Sequence, residues 1–431
     1  IPAPFTVYEK IYKLEPGHFL EFYPSGRKMI KERYYHPQRN TDRSMTYEKA
    51  YQQFDILFRE SVKGRLAADV PVGAFLSGGI DSSLIVRYIR ELFPDMDDFH
   101  TFSIGFNEKR YDESAFSEKV SDHYRTDHHH FYFSESDICD NIDMLGQFDE
   151  PFGDSSAMAV YFLAQKTRPH VKVVLSGDGA DELFGGYRRY DMFRYHSIVR
   201  KIPYGIRKSM LTLAAKGDSF LVNGMRKLIQ STFSDNYYGR IMNNFSEEQL
   251  GLLFRGTSVE EYHARNEEDL FGRMIAESGG NLYERLMHCD TMSYLPYDIL
   301  TKVDMMTMAG SLESRAPFLN RKIIDLAYSL PFSVRKNKKI LKHGLRHFGR
   351  GFTHRNKKGF GVPLSDWFRG RLGSIMKEHI EADTGLMEFL DIGYVKGLLE
   401  RHMKGSADNH YRLWQILVFI IWLKKDREYF L

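Results

Sequence analysis

The stretch Ser77-Gly78-Gly79-Ile80-Asp81-Ser82-Ser83 lies between an apolar run, Val70 to Leu76, and a helix-like segment, Leu84 to Leu92. An apolar run of this length that ends in glycine and serine is typical of a buried parallel strand, so the stretch is predicted to be a strand-to-helix turn. Backbone N–H groups at such a turn, with the positive end of a helix behind them, favour the binding of a phosphate anion.

This turn carries an aspartate, Asp81, and lacks the Gly-Lys-Ser/Thr ending of the common P-loop. A carboxylate beside bound phosphates needs a cation between them, and Mg²⁺ is expected because it prefers oxygen ligands. The turn resembles the pyrophosphate loop of the ATP pyrophosphatases, which activate a substrate by adenylation. Taken alone, it is also compatible with an ordinary strand–turn–helix corner.

A second loop of similar character follows the β-branched run Val171 to Leu175, and its sequence is Ser176-Gly177-Asp178-Gly179-Ala180-Asp181-Glu182. In an open parallel sheet, ligands bind outside the carboxyl ends of the strands, so the two loops are predicted to face one site. Asp81 and Asp181 are then predicted to share one magnesium ion. The alternative, a solvated acidic turn, does not explain why Ser-Gly recurs at a strand end in both loops.

Further motifs stand at compatible spacing along most of the chain, from about Tyr47 to the region of Trp414 and Trp422. They are Asp149-Glu150-Pro151-Phe152-Gly153-Asp154-Ser155-Ser156, Lys302-Val303-Asp304, Ser311 to Leu319, and Lys357-Lys358-Gly359-Phe360-Gly361. Together with the two loops they resemble the synthetase half of the glutamine-hydrolysing asparagine synthetase family. This resemblance implies an AMP-forming carbon–nitrogen ligase that uses ATP and Mg²⁺ to convert aspartate to asparagine through an acyl-adenylate, with release of pyrophosphate.

The resemblance also implies the residues of the site. Lys357 would serve adenylation and amide formation, with Lys358 a less favoured neighbour. Lys338 would bind the pyrophosphate, and Asp178 would support formation of the intermediate. The residues expected around ATP and pyrophosphate are Leu76 and Ile104 beside the adenine, Ser77, Gly78, Gly79, Asp81, Ser82 and Ser83 in the first loop, and Ser176 and Gly177 through their backbones.

Strands and helices are predicted to alternate after the first loop. Phe99 to Phe106 reads as a strand, Glu113 to Tyr124 as a helix and Asp127 to Phe133 as a strand. Such alternation predicts an α/β fold with a mostly parallel sheet and flanking helices. The family resemblance implies a sheet similar to that of the adenine nucleotide α-hydrolases. From Tyr190 onward the sequence is mainly helical, and 231–280 is predicted to be a peripheral helical region.

The N-terminal part is predicted to be a separate, smaller element. His18 to Tyr23 and Arg27 to Tyr35 read as a β-hairpin, and a helix is predicted from Thr46 to Leu66. The family resemblance implies that residues 1–40 are the C-terminal remnant of a glutaminase-type domain and that residues 41–431 are the synthetase domain. The nucleotide-binding α/β core is expected at about 65–190.

The source of ammonia is also an expectation from the resemblance. In the family, a Leu-x-Pro-Gly-His phrase like Leu14 to His18 ends the glutaminase domain, whose nucleophile is an N-terminal cysteine. Ile1 stands here instead. The chain is therefore predicted not to hydrolyse glutamine by that mechanism, and ammonia is expected from a glutaminase domain on a longer product, from a partner subunit or from solution.

Composition agrees with an enzyme of this kind. The 431 residues are 42% hydrophobic, and 60 Lys and Arg stand against 57 Asp and Glu, which argues against a nucleic-acid binder. Cys139 and Cys289 make neither a disulfide framework nor a paired metal motif, so a reducing cytoplasm is expected. The apolar run Leu413 to Leu423 is too short to span a bilayer. A homodimer is one expected assembly, although the sequence leaves the oligomeric state open.

Consecutive histidines, His128-His129-His130, suggest a metal site at first sight. Consecutive residues of a strand point to opposite faces, however, so this run is predicted not to converge on one ion.

Two departures from the family pattern leave the acceptor open. Met305 and Asn320 stand where many relatives have Arg and Asp. The paired change is either harmless or marks a changed acceptor pocket, so a sugar acid, a peptide or a lactam precursor remains an alternative to aspartate. A non-catalytic or tRNA-modifying relative is the remaining alternative. The intact acids and lysines, and the absence of a zinc-type cysteine cluster or a basic arm, count against it.

Overall fold

The computed structural model of the chain describes residues 1–108, 110–214, 225–226, 228–229, 232–233, 237–261, 270–355, 361–382 and 384–430. The chain divides into two compact units. The sheet unit comprises Ile1–Ser134, Ser156–Tyr187 and Asp290–Gly361, and the helical unit comprises Glu135–Ser155, Arg188–Cys289 and Val362–Leu431.

The sheet unit begins with an antiparallel hairpin of β1 (His18–Tyr23) and β2 (Lys28–Arg33). Its main sheet has five strands in the order β5-β4-β3-β6-β7, and every pairing is parallel. These strands are β3 (Val72–Phe75), β4 (His100–Phe106), β5 (Asp127–Phe133), β6 (Val173–Leu175) and β7 (Glu313–Arg315). The predicted α/β fold with a parallel sheet and an N-terminal hairpin is confirmed.

Helices flank the sheet because parallel strands need crossover connections. They are α1 (Tyr47–Arg65), α2 (Ile80–Leu92), α3 (Ser114–Tyr124), Ser156–Thr167, Ala180–Phe184, Thr301–Ala309, Arg321–Ser329, Phe332–Arg335, Lys339–Gly344 and Arg350–Thr353, with a π-helix at Asp290–Leu300. The side chain of Thr46 accepts a hydrogen bond from the backbone of Lys49 and so caps α1.

Aromatic side chains build the core beneath the sheet. Phe54 and Phe58 of α1 are fully buried, and their rings lie 5.6 Å from Phe184 and 4.5 Å from Phe318, respectively. Each such side chain contributes about 1.5–3 kcal/mol through burial. This packing fixes α1 against the helix that follows β6 and the segment that follows β7, so it holds the loops at those strand ends in place.

The helical unit contains the remaining described α-helices. They are Glu135–Asp140, Arg189–Arg200, Tyr204–Ala214, Tyr237–Met242, Glu247–Leu253, Leu270–Glu277, Leu282–Cys289, Leu364–Trp367, Arg371–Ala382, Ile392–Met403 and His410–Phe430. The predicted helical C-terminal half is confirmed. Across the described parts of the chain, no helix combines the length and the apolar character needed to cross a membrane.

The sequence prediction missed one strand. β7 has only three residues, Glu313–Arg315, and all of them are polar, so it shows no apolar run and no alternation. It forms because the backbone of Val173 to Leu175 offers a parallel edge, with Leu175 paired to Arg315. Tertiary pairing, not local preference, decides this strand.

Candidate active site at the carboxyl ends of the strands

The first loop requires glycine at Gly78. Its φ is +67°, and a Cβ there would lie 2.6 Å from backbone atoms of Phe116 and Ser117. The chain then enters α2, whose first turn contains the buried Asp81, Ser82 and Ser83. N–H groups at the start of a helix, together with the helix dipole, make the loop suitable for an anion.

The second loop lies directly against the first. A Cβ at Gly177 would stand 2.8 Å from the Cβ of Asp81, so only glycine allows this approach. Within the loop, the Ser176 hydroxyl donates a hydrogen bond of 2.7 Å to Oδ2 of Asp178. The short helix Ala180–Phe184 follows and carries Asp181 in its first turn. The two loops that the sequence analysis singled out therefore meet at one edge of the sheet.

A lysine from a distant part of the chain joins the two acids. Nζ of Lys338 lies 2.6 Å from Oδ2 of Asp81 and 2.6 Å from Oδ1 of Asp181. The Lys338 and Asp81 side chains are only 8% and 6% exposed. Burial alone would lower the pKa of Lys338, but the carboxylates of Asp181 and Asp81 outweigh it and raise the pKa, so the lysine is a cation.

The backbone around Lys338 is unusual and is fixed by its neighbours. Asn337 and Lys338 both have positive φ, at 54° and 56°, and the Asn337 N–H donates to the carbonyl of Gly185 at 3.1 Å. A Cβ at Gly186 would lie 1.9 Å from Oδ1 of Asp181 and 2.2 Å from Cε of Lys338. Glycine at position 186 therefore keeps the space in which the lysine meets the carboxylate.

Three described residues of this region carried no assigned role in the sequence analysis. One is Lys342, four residues after Lys338 and half-buried. Burial and the charge of Lys338 lower its pKa, and Asp81 opposes that effect. The sequence signal for Lys342 was its separation of four residues from Lys338, which is the spacing of neighbouring side chains on one face of a helix.

A second is Glu182, which is almost completely buried beside Asp181. Burial, followed by the charge of Asp181, raises the pKa of Glu182 to about 8, while the hydroxyl of Tyr187, which donates to its Oε1 at 2.5 Å, opposes the rise. Glu182 is therefore protonated at neutral pH. The sequence offered no signal for this, because an acid in a helical first turn is usually solvated and charged.

The third is Arg355, which supports the first loop from the side. Its guanidinium donates to the Gly78 carbonyl at 3.0 Å, pairs with the Glu113 carboxylate and lies 3.8 Å from the centre of the Phe116 ring. These contacts, one of them a charge-assisted hydrogen bond to the carbonyl of the loop glycine, fix the position of that glycine.

Other residues named in the sequence analysis lie in the core, in a buried hydrogen bond or outside the described residues. Leu76 is fully buried in the core, and Ile104 packs against the buried cluster that contains Phe102. Lys302 is buried and donates to the hydroxyl of Ser156 at 2.9 Å. Lys357 and Lys358 lie outside the described residues.

The departure at Asn320 has a structural explanation. Its Oδ1 accepts a hydrogen bond from the Lys322 N–H at 2.9 Å and so caps the helix Arg321–Ser329. Asn and Asp are about equally good caps, so exchanging them is conservative here. Nothing in the structure explains Met305.

Comparisons with known proteins agree with this geometry. The family model described as asparagine synthase matches residues 53–424. The chain is 30% identical to "Asparagine synthetase [glutamine-hydrolyzing] 1" of Bacillus subtilis, over 98% of this chain and 66% of that protein. It is 41% identical to a putative asparagine synthetase of Methanocaldococcus jannaschii, over 53% of this chain and 43% of that protein. An amidase of Penicillium rubens, chyE, is 23% identical over 88% of this chain and 62% of that protein.

Proposed function

This chain belongs to the asparagine synthase family, and from that premise we propose that it amidates a carboxylate through an acyl-adenylate, with aspartate as the carboxylate. The substrates are then ATP, aspartate and ammonia, and the products are asparagine, AMP and pyrophosphate. Because the chain spans 66% of the Bacillus subtilis relative's length, its activity is inferred from its own residues as well as from that likeness. We keep residues 41–431 as the proposed synthetase domain, 1–40 as the proposed glutaminase remnant and the cytoplasm as the proposed compartment.

One observation supports the proposal most strongly: the cationic Lys338 lies between Asp81 and Asp181 where two glycine-containing loops meet. An active site for adenylation must hold a highly charged triphosphate and stabilise the negative charge that develops on the departing pyrophosphate. Backbone N–H groups at the start of α2 and the fixed ammonium of Lys338 are donors of that kind. The half-buried Lys342 interacts electrostatically with both Lys338 and Asp81.

The proposed reaction has two steps. A carboxylate oxygen of aspartate attacks the α-phosphorus of ATP, the bond to the bridging oxygen breaks, and pyrophosphate leaves. Ammonia then attacks the acyl carbon and loses a proton, and AMP departs with the oxygen that came from aspartate. We assign stabilisation of pyrophosphate to Lys338, the adenylation and amidation steps to Lys357, and support of the intermediate to Asp178.

Magnesium is the expected companion of ATP, and the acids at this edge fit it. Asp81 and Asp181 offer only oxygen donors, which are the ligands that Mg²⁺ prefers, and both carboxylates contact Nζ of Lys338, so the ion would share them with that ammonium. When bound there, the ion would neutralise phosphate charge and act as a Lewis acid.

The function is tested by product analysis with ATP, Mg²⁺ and ammonium across aspartate, glutamate, a uronic acid and a short peptide carboxylate, with glutamine replacing ammonium in a parallel series. We expect AMP and pyrophosphate to form in equal amounts with an amide, and aspartate to give the highest kcat/KM. Formation of ADP and phosphate would contradict adenylation. If AMP and pyrophosphate form but kcat/KM is highest for another carboxylate, the adenylation mechanism stands and aspartate is ruled out as the preferred substrate.

A further inference from the structure

The opposite edge of the sheet carries three histidines and one aspartate, His100, His129, His170 and Asp127, which we call the histidine cluster. His100 and Asp127 are the first residues of β4 and β5 and are paired in register. His129 lies two residues further along β5, so it shares a face with Asp127. His170 stands in the segment before β6. The amino ends of neighbouring strands therefore bring together residues that are distant in sequence.

The potential ligand atoms of the cluster lie close together. Nδ1 of His100 lies 3.1 Å from Nε2 of His129, and Oδ2 of Asp127 lies 2.9 Å and 3.2 Å from these two nitrogens. One ligand nitrogen from each of the three histidines lies within 4.8 Å of the others. Four ligands about 2.0–2.1 Å from a tetrahedral cation are about 3.3 Å apart. Three polar atoms that are all mutually about 3 Å apart cannot be joined by three well-aligned hydrogen bonds, whereas one cation can bind them all.

The buried aromatic ring of Phe102 packs against the imidazoles of the cluster. The fully buried Phe102 stacks on His129, with ring centres 5.2 Å apart and planes inclined by 15°, and it lies 5.7 Å from the ring of His170. The rings of His129 and His170 are 4.1 Å apart. His100 and His129 are partly buried, while His170 is exposed. An apolar floor with an open side limits ring motion and still admits an ion.

The neighbouring histidines support this assignment by contrast. His128 and His130 face the other side of β5, where Ser103 lies 3.0 Å from Nε2 of His128 and 2.7 Å from Nδ1 of His130. Burial, followed by the charges of the adjacent histidines, lowers the pKa of His128 to about 4. The prediction that the run His128 to His130 does not converge on one ion therefore agrees with the structure. His129 finds its partners on other strands.

We propose that His100, His129, His170 and Asp127 form a binding site for a divalent transition-metal ion, with Zn²⁺ the best match, that fastens edge strand β5 to β4 and to the segment before β6. Three imidazoles and one carboxylate are donors that Zn²⁺ accepts, whereas Mg²⁺ and Ca²⁺ prefer oxygen. The site lies at the amino ends of the strands, so it is separate from the acids at the carboxyl ends.

The test uses the chain after treatment with a chelator, in buffer with excess Mg²⁺. We expect it to bind one Zn²⁺ per chain and to give the visible absorption of tetrahedral Co²⁺ when Co²⁺ is added instead. Zn²⁺ should also raise the temperature of unfolding, because the ion binds the folded state. His129→Ala and His170→Ala should each weaken Zn²⁺ affinity by at least about tenfold.

His347→Ala is the matched control, because His347 is exposed and stacks on His123 without belonging to the cluster. It should keep the parent affinity and the Co²⁺ spectrum. His170→Ala removes an exposed side chain, so it should fold and should retain pyrophosphate release. Unchanged Zn²⁺ affinity in His170→Ala, loss of binding in His347→Ala, or displacement of Zn²⁺ by Mg²⁺ would each overturn the proposal.

Discussion

The two edges of the same parallel sheet differ in their donor atoms and in how their charges are balanced. At the carboxyl edge, Asp81 and Asp181 are oxygen donors whose charges are offset by the buried ammonium of Lys338. At the amino edge, His129 and its neighbours are mainly nitrogen donors around one partly exposed carboxylate, Asp127. The two ends of one sheet therefore carry different donor sets, with carboxylate oxygens at the carboxyl ends of the strands and mainly imidazole nitrogens at the amino ends.

The largest effect is expected from the two acids of the carboxyl edge. Asp81→Asn and Asp181→Asn should each lower pyrophosphate release by roughly a thousandfold or more, because each removes a charge that the site needs to hold the metal–triphosphate complex. Asp122→Asn, on the exposed side of α3, is the control and should leave the rate unchanged. Near-parent release in either site variant would rule out the shared-metal assignment.

The next largest effect is expected at Lys338. Lys338→Met should lower pyrophosphate release by roughly a hundredfold to a thousandfold, because the fixed cation beside the departing group is lost. Lys338→Arg should not restore it, since a broad planar guanidinium does not fit where a compact ammonium lies 2.6 Å from two carboxylates. The control is Lys339→Ala, an exposed neighbour beside the Tyr47 ring. If Lys339→Ala lowers pyrophosphate release as much as Lys338→Met does, the loss does not depend specifically on the charge of Lys338.

A similar comparison applies to the adjacent lysines of the Lys-Lys-Gly-Phe motif. Lys357→Ala should cost about a hundredfold in adenylation-coupled pyrophosphate release, and Lys358→Ala much less, because the family resemblance assigns the charge-stabilising role to Lys357. The two variants are measured side by side with Lys357→Arg, which is expected to rescue only partly. If Lys358→Ala loses most of its pyrophosphate release while Lys357→Ala stays near the parent rate, the role belongs to Lys358.

The smallest effect concerns stability and Glu182. The unfolded chain releases this proton near its ordinary pKa of 4.5, whereas the folded chain keeps it up to about pH 8. Folded protein therefore binds more protons between these values, and its stability falls as pH rises through this window. The contribution is on the order of 1 kcal/mol per pH unit.

Glu182→Gln should remove that slope, because glutamine keeps the shape and has no proton to lose. Urea unfolding of both proteins at several pH values between about 5 and 8 would measure it. The variant should gain stability relative to the parent as pH rises. A difference that stays constant with pH would show that Glu182 is ionised in the folded protein.

Local patterns predicted the elements that define the carboxyl edge. The predicted apolar runs, Val70 to Leu76 and Val171 to Leu175, contain the observed strands β3 (Val72–Phe75) and β6 (Val173–Leu175). Glycine and serine marked the loops that follow. Local patterns could not place Lys338 between the acids, because it lies 257 residues from Asp81. They could not show the charge state of Glu182 either, since burial is a property of the packed fold.

The histidine cluster shows the same limit. Alternation along a strand correctly separates His129 from its two neighbours, but strand pairing is what brings His100 beside Asp127. The connection before β6 then adds His170. Sites made by neighbouring strands become visible only when the strand order is known.

Acyl-adenylate formation at the carboxyl edge can be followed by the transfer of oxygen from aspartate to AMP. Aspartate with heavy oxygen in its side-chain carboxylate is incubated with the chain, ATP, Mg²⁺ and ammonium, and the products are analysed by mass spectrometry. The proposed mechanism predicts that one labelled oxygen appears in the phosphate of AMP for each amide formed, and that Asp81→Asn abolishes this transfer. Unlabelled AMP, or label in inorganic phosphate together with ADP, would contradict it.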